Sequence, residues 1–202
     1  MNRSSVRLGS LAPLFFMVTK NTIRKQIAAQ RARLDVAWIT KSSQHIATKI
    51  QAHSLFNASQ TIALYSALPG EVDLQHLFKP CWQQKKRTCV PVFKAETNQY
   101  VFAEITPDTA LHLGRYQIPE PSNPQVISLE EIDLMLVPGV AFNPNTGDRL
   151  GRGGGYYDRL LASFSGHTFG IGFSFQLLNS IPIEPTDQPV NALVTEDQLI
   201  SF

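Results

Sequence analysis

Cysteine is scarce in this chain of 202 residues: Cys81 and Cys89 are the two present. Isolated thiols in no ligand-like spacing exclude a disulfide scaffold and a cysteine-built metal centre, and they fit a reducing, cytoplasmic setting. An excess of charge of one sign is also lacking. The net charge is +2, so no general attraction to nucleic acid or to an anionic membrane follows, and any positive field has to be local. The five histidines are scattered at 45, 53, 76, 112 and 167, which suits surface or packing roles better than a ligand set. Long apolar runs are missing too; residues 11–18 form a short one, well under the length that spans a bilayer. No internal repeat and no linker divides the chain.

What is there suits one ordinary domain, with 43% hydrophobic and 17% charged residues. The first acid is Asp35, after Arg3, Arg7, Lys20, Arg24, Lys25, Arg31 and Arg33, a composition like that of a transit peptide. Residues 1–19 are read as a disordered extension, with Met17 as an alternative start, and 20–202 as a single catalytic α/β domain.

Helical spacing of Ile23, Ile27 and Ala28 predicts a first helix from Lys20 to about Leu34, and Asp35 is placed to cap a second. The period then changes. Thr61–Tyr65, Thr88–Phe93, Tyr100–Ile105, Leu134–Val137, Thr168–Phe173 and Ala192–Thr195 read as short buried strands, the second and third joined through a hairpin-like turn at Glu96-Thr-Asn. Asp73 is expected to cap a brief helix over Leu74–Phe78. Strands alternating with helices predict a three-layer α/β fold, a largely parallel sheet flanked by helices, with ligands off the strand C-termini in the loops after 61–65 and 134–137.

The chemistry concentrates in Arg149-Leu-Gly-Arg-Gly-Gly-Gly-Tyr-Tyr-Asp158. Glycines 151, 153, 154 and 155 let backbone N–H groups approach an anion unshielded, while Arg149 and Arg152 supply fork-shaped, charged contacts. A helix starting at Tyr156 would turn its positive end toward the same anion. No lysine is present for a Walker loop, and Tyr156 stands where the dinucleotide fingerprint needs glycine. Phosphate binding is the reading that explains both arginines, since a plain chain reversal needs one or two glycines and no cations.

Elsewhere, Lys20 and Arg24 share a helical face, where like charges repel unless an anion sits between them; a solvated basic face explains them equally well. Glu71 follows a turn after a buried strand and offers a carboxylate that suits the paired N–H groups of an amino-heterocycle. Serving a helix N-terminus together with Asp73 is the simpler account of both acids. Asp158 beside the glycine loop is a magnesium candidate, and Asp187, read alone, is a turn residue. On the residues alone, another phosphate-ester enzyme or a nucleotide- or RNA-binding module stays open.

Taken together, Lys20-x-x-x-Arg24, the strand and loop ending in Glu71, Leu136-Val-Pro-Gly-Val-Ala-Phe142, the Arg149–Asp158 segment and the late Ile181-Pro…Asp187 resemble the 5-formyltetrahydrofolate cyclo-ligase family from about residue 20 to the C-terminus. The resemblance implies an ATP- and Mg2+-dependent closure of 5-formyltetrahydrofolate to 5,10-methenyltetrahydrofolate, with release of ADP and phosphate, by phosphorylation of the formyl oxygen and attack by N10. It assigns the nucleotide to Lys20, Arg24, Arg149, Leu150, Gly151, Arg152, Gly153, Gly154, Gly155, Tyr156 and Tyr157, with Arg149 and Arg152 catalytic. It assigns the folate to Ser66, Glu71, Tyr116 and the stretch from Arg152 through Gly153, Gly154 and Gly155 to Tyr156, and magnesium to Asp158 and Asp187. It also implies a cytoplasmic monomer without nucleic-acid or membrane partners. Three positions depart from the family pattern: Gly154 stands where some relatives have lysine, Thr186 where histidine is frequent and Asn191 where aspartate is frequent. Residues 1–16 have no counterpart.

Overall fold

A computed structural model describes residues 19–97, 99–114 and 119–202. Its helices are α1 (Lys20–Arg31), α2 (Val36–Ala52), α3 (Ser54–Ala58), α4 (Gln75–Gln83) and α5 (Tyr156–Leu161). The strands are β1 (Thr61–Ala63), β2 (Arg87–Lys94), β3 (Gln99–Ile105), β4 (Leu111–Leu113), β5 (Pro119–Pro121), β6 (Val126–Ile127), β7 (Leu134–Pro138), β8 (Ala141–Phe142), β9 (Arg149–Leu150), β10 (His167–Ile171), β11 (Ala192–Val194) and β12 (Leu199–Ser201). Eight of them form one sheet in the order β12-β11-β10-β7-β1-β2-β3-β6. From β11 to β2 the neighbours run parallel, while β12, β3 and β6 pair antiparallel at the two edges. The sheet is therefore mixed but mostly parallel.

The central strands are buried along most of their length because both faces are covered, and β7 is apolar throughout. Ile62, Leu64, Leu134, Leu136 and Phe169 pack on the side of α2, α3 and α4; Ala63, Cys89, Met135 and Val137 pack on the opposite side with Leu161 of α5. Alternate residues of one strand thus feed two separate cores, giving the three expected layers. α1 joins neither: Ile23 and Ile27 cover Val140, Ala141 and Leu150 of the β8–β9 hairpin beyond the sheet end.

Local signals account for most boundaries. The Asp35 carboxylate accepts from the amides of Ala37 and Trp38 at 2.8 and 3.2 Å, so α2 starts where expected, whereas α1 ends at Arg31, short of Leu34. Asp73 accepts from the Gln75 amide at 2.9 Å, but the helix it serves runs through Pro80 to Gln83, further than its sequence suggests. The β2–β3 hairpin forms in the register Thr88↔Ile105 through Lys94↔Gln99. The short pairs β4–β5 and β8–β9 and the edge strands β6 and β12 carry no readable alternation, since two or three residues cannot show a period. The N-terminal extension to residue 18 and Tyr116 lie outside the described residues. Among the described residues no helix is long and apolar enough to cross a membrane.

Candidate active site

β1 and β7 are parallel neighbours whose onward connections part company. β1 leads to β2 through α4 on one face of the sheet; β7 leads to β10 through α5 on the other. Where helices diverge in this way the strand ends leave a crevice, the usual seat of a ligand in an open α/β sheet. Residues 64–74, after β1, and 139–155, after β7, line it.

The β8–β9 hairpin folds the second loop back over the crevice, and Phe142 anchors the hairpin. Its ring is fully buried against bare backbone: a Cβ on Gly139, Gly170 or Gly172 would stand 2.5, 2.7 or 3.0 Å from it. Past Leu150 the glycine stretch passes through Gly153 at φ 105° and Gly155 at φ 62°, a geometry that side-chain-bearing residues rarely adopt. Arg24 of α1 donates from Nε to the Gly151 carbonyl at 2.9 Å and so fastens the stretch from outside.

This stretch is a partition. On one side lies a cleft of ≈ 970 Å³ that meets α1 at Lys20 and Arg24 and the 182–188 segment at Thr186 and Asp187. On the other lies a cavity of ≈ 1160 Å³ lined by Tyr65, Ser66, Glu71, Tyr100, Glu120 and Arg152, among others. Gly151, Gly155, Asp158 and Arg159 face both.

Ion pairs set the charges in place. Lys20 Nζ lies 2.5 Å from Asp187 Oδ2 and 3.4 Å from Glu184, which removes the like-charge penalty that α1 would otherwise carry. Burial works against both charges, yet the contact wins: the Lys20 ammonium is held above its ordinary range and the Asp187 carboxyl below. Arg149 is 2% exposed at its side chain and bonds Asp158 Oδ1 at 2.7 Å, with its guanidinium 5.6 Å above the Tyr157 ring. Arg152, by contrast, is 57% exposed and reaches Glu71 Oε1 at 2.7 Å. Arg31 joins the same oxygen at 3.3 Å and donates to the Gly139 carbonyl at 2.8 Å, tying the two loops together. The second Glu71 oxygen accepts from the Leu68 amide at 3.1 Å.

An aromatic wall completes the larger cavity. Tyr100 and Tyr156 stand 4.3 Å apart between ring centroids, and Tyr156 and Tyr157 4.9 Å. Burial pushes both loop phenols well up, so they stay neutral, and the buried Tyr156 hydroxyl has no hydrogen-bond partner among the described residues.

Lys20, Arg24, Leu150, Gly151, Gly153, Gly155, Asp158 and Asp187 thus meet around one cleft, and Ser66, Glu71, Arg149, Arg152, Gly154, Tyr156 and Tyr157 around its neighbour, so both loop arginines stand on the side of the larger cavity. Three details differ from the sequence reading. Glu71 serves no helix; Asp73 alone caps α4. Arg149 faces inward to Asp158 instead of fanning out beside Arg152. α5 has six residues, so its dipole adds little and the guanidinium groups carry the local charge. Asn191 is taken by Thr168, whose amide and hydroxyl both bond its side-chain oxygen at 2.8 and 2.9 Å. Asp158 and Asp187 line one cleft, each leaning on its own cation; among the described residues no three acids, histidines or cysteines gather as a ready-made metal cage. Arg31 and Glu120 were missed. Nothing local marks Arg31, whereas Glu120 had a signal in its setting between Pro119 and Pro121, a carboxylate in a stiff extended segment.

A family described as the 5-formyltetrahydrofolate cyclo-ligase family matches residues 16–196. The chain is 34% identical over 181 residues to the 5-formyltetrahydrofolate cyclo-ligase of Haemophilus influenzae, covering 84% of this chain and 96% of that one. Among solved structures, the 5,10-methenyltetrahydrofolate synthetase of Aquifex aeolicus superposes with a TM-score of 0.80 at 34% identity, over 90% of this chain and 92% of the other. The synthetase of Mycoplasma pneumoniae superposes with a TM-score of 0.73 at 26% identity, over 89% and 99%.

Proposed function

Because this chain belongs to the 5-formyltetrahydrofolate cyclo-ligase family, we propose that it closes 5-formyltetrahydrofolate to 5,10-methenyltetrahydrofolate with conversion of ATP to ADP and phosphate, one substrate on each side of the glycine partition. The observation that carries this reading is the pair of clefts sharing one wall, with Lys20, Arg24, Asp158 and Asp187 around one and aromatic rings beside Arg149 and Arg152 around the other.

A formamide is a poor electrophile, since its nitrogen feeds the carbonyl, and oxide does not leave. Attack of the formyl oxygen on the γ-phosphorus, with ADP departing, answers both problems. N10 then adds to the formyl carbon and loses its proton to solvent, and the carbon–oxygen bond breaks with its electron pair going to phosphate. Phosphoryl transfer asks a protein mainly for alignment and charge neutralisation. Lys20, Arg24 and the amides of Gly151 to Gly155 supply these toward the triphosphate. Arg152 stands at the partition where the transferred group crosses, and Arg149, fixed by Asp158, lends a positive charge that cannot wander. Asp158 and Asp187 are of the right type and number to hold Mg2+, which takes one or two carboxylates beside phosphate oxygens and waters and would neutralise phosphate charge there. Ser66, Glu71 through Arg152, and Tyr156 belong to the folate side. Tyr116 is assigned there on sequence alone. The ring closure itself is intramolecular, where effective molarities reach roughly 10⁵–10⁸ M, so the reaction needs no protein nucleophile.

The test is direct. Purified protein given 5-formyltetrahydrofolate, ATP and magnesium should develop methenyl absorbance, and leaving out either ATP or the metal should abolish it. Binding without product would reduce the protein to a nucleotide- or folate-binding module.

A further inference from the structure

Resting on that reading, we infer that Glu120 is a specificity-determining residue: its carboxylate takes the paired N–H edge of the folate's aminopyrimidinone ring. Three carboxylates line the larger cavity, Glu71, Glu120 and Asp158, the last of them bound to Arg149. Glu71 is spoken for at both oxygens, by Arg152 and Arg31 on one and by the Leu68 amide on the other. Glu120 is 6% exposed, and among the described residues no hydrogen bond or ion pair reaches its carboxylate. Its carboxylate lines the cavity with its acceptor sites unused by those residues, so it is free to meet a cationic or N–H-bearing ligand there.

The surroundings say which kind. Glu120 lies on β5, and the Ser66 hydroxyl bonds the carbonyl of the adjoining Pro119 at 3.5 Å, so the ribbon docks on the loop after β1. The same cavity is walled by Phe93, Tyr100 and Tyr156, which suit a flat ring and not a compact ammonium. A carboxylate at the edge of an aromatic slot accepts two parallel N–H bonds, and the N3–H and 2-amino group of the folate ring form such a pair. The carboxyl is seated on bare backbone: a Cβ on Gly114 would fall 2.3 Å from Glu120 Cδ, so only glycine there leaves room for the head group.

Glu120→Gln keeps the shape but turns one acceptor into a donor. Titration of 5-formyltetrahydrofolate without ATP should show binding weakened at least about tenfold, roughly 1.4 kcal/mol, with the KM for ATP and the melting temperature essentially unmoved. Glu120→Asp, which keeps the charge but not the reach, should fall between. An analogue lacking the 2-amino group should lose a comparable factor on the native protein and almost nothing on the Gln variant. Equal loss on both proteins, or unchanged folate binding by the variant, would overturn the assignment, while methenyl formation by the native protein would leave the cyclo-ligase reading standing. If the Gln variant fails to fold, the same comparison of the folate and its analogue is made with Glu120→Asp.

Discussion

Arg152 and Arg149 are three positions apart and behave as opposites. Arg149 is sealed in, its charge pinned by Asp158; Arg152 is the exposed arm of a pair whose other member, Glu71, is buried. Removing the exposed arm leaves Glu71 still bound to Arg31, so no orphaned acid results. Arg152→Ala should therefore lower formylfolate-dependent ATP turnover by at least about tenfold, close to 1.4 kcal/mol of transition-state stabilisation, while the melting curve stays nearly fixed. Full activity in that variant would strip Arg152 of its role.

At the level of elements, the six strands read from the sequence were legible as short apolar runs bounded by turn residues, and α1 and α2 by their helical stripes and the Asp35 cap. The glycine stretch stands out in the sequence because four glycines and two arginines exceed what a turn needs, and phosphate binding there is part of the proposed function. What escaped were contacts between distant positions. Arg31 meets Glu71 across 40 positions, and nothing in either neighbourhood announces it. Phe142 is a similar case, a lone aromatic in a two-residue strand whose importance lies in three glycines that make room for it. Gly170→Ala on β10 should press into that ring and cost about 1–3 kcal/mol by overpacking, read as a lowered denaturation midpoint with turnover per folded molecule retained. An unchanged midpoint would mean that the hairpin anchor is loose.

For the molecule as a whole, the sheet decides where chemistry is possible, and the divergence of α4 and α5 at β1 and β7 decides where the crevice opens. α1, packed outside both cores, borders the smaller cleft through Lys20 and Arg24. A ligand there bridges α1, the glycine stretch and the 182–188 segment and so favours the native state by mass action. Magnesium-ATP at about a hundred times its dissociation constant should add about 2.7 kcal/mol, raising the melting temperature by roughly 5–10 °C. A melt indifferent to nucleotide would mean that the native protein does not take it up.

A partition one backbone thick also has two ways out. Under the proposed assignment, spent nucleotide leaves the cleft bordered by Thr186 and Gln188 and the cyclised ring leaves the cavity bordered by Ser66 and Leu129. Neither discharge has to queue behind the other.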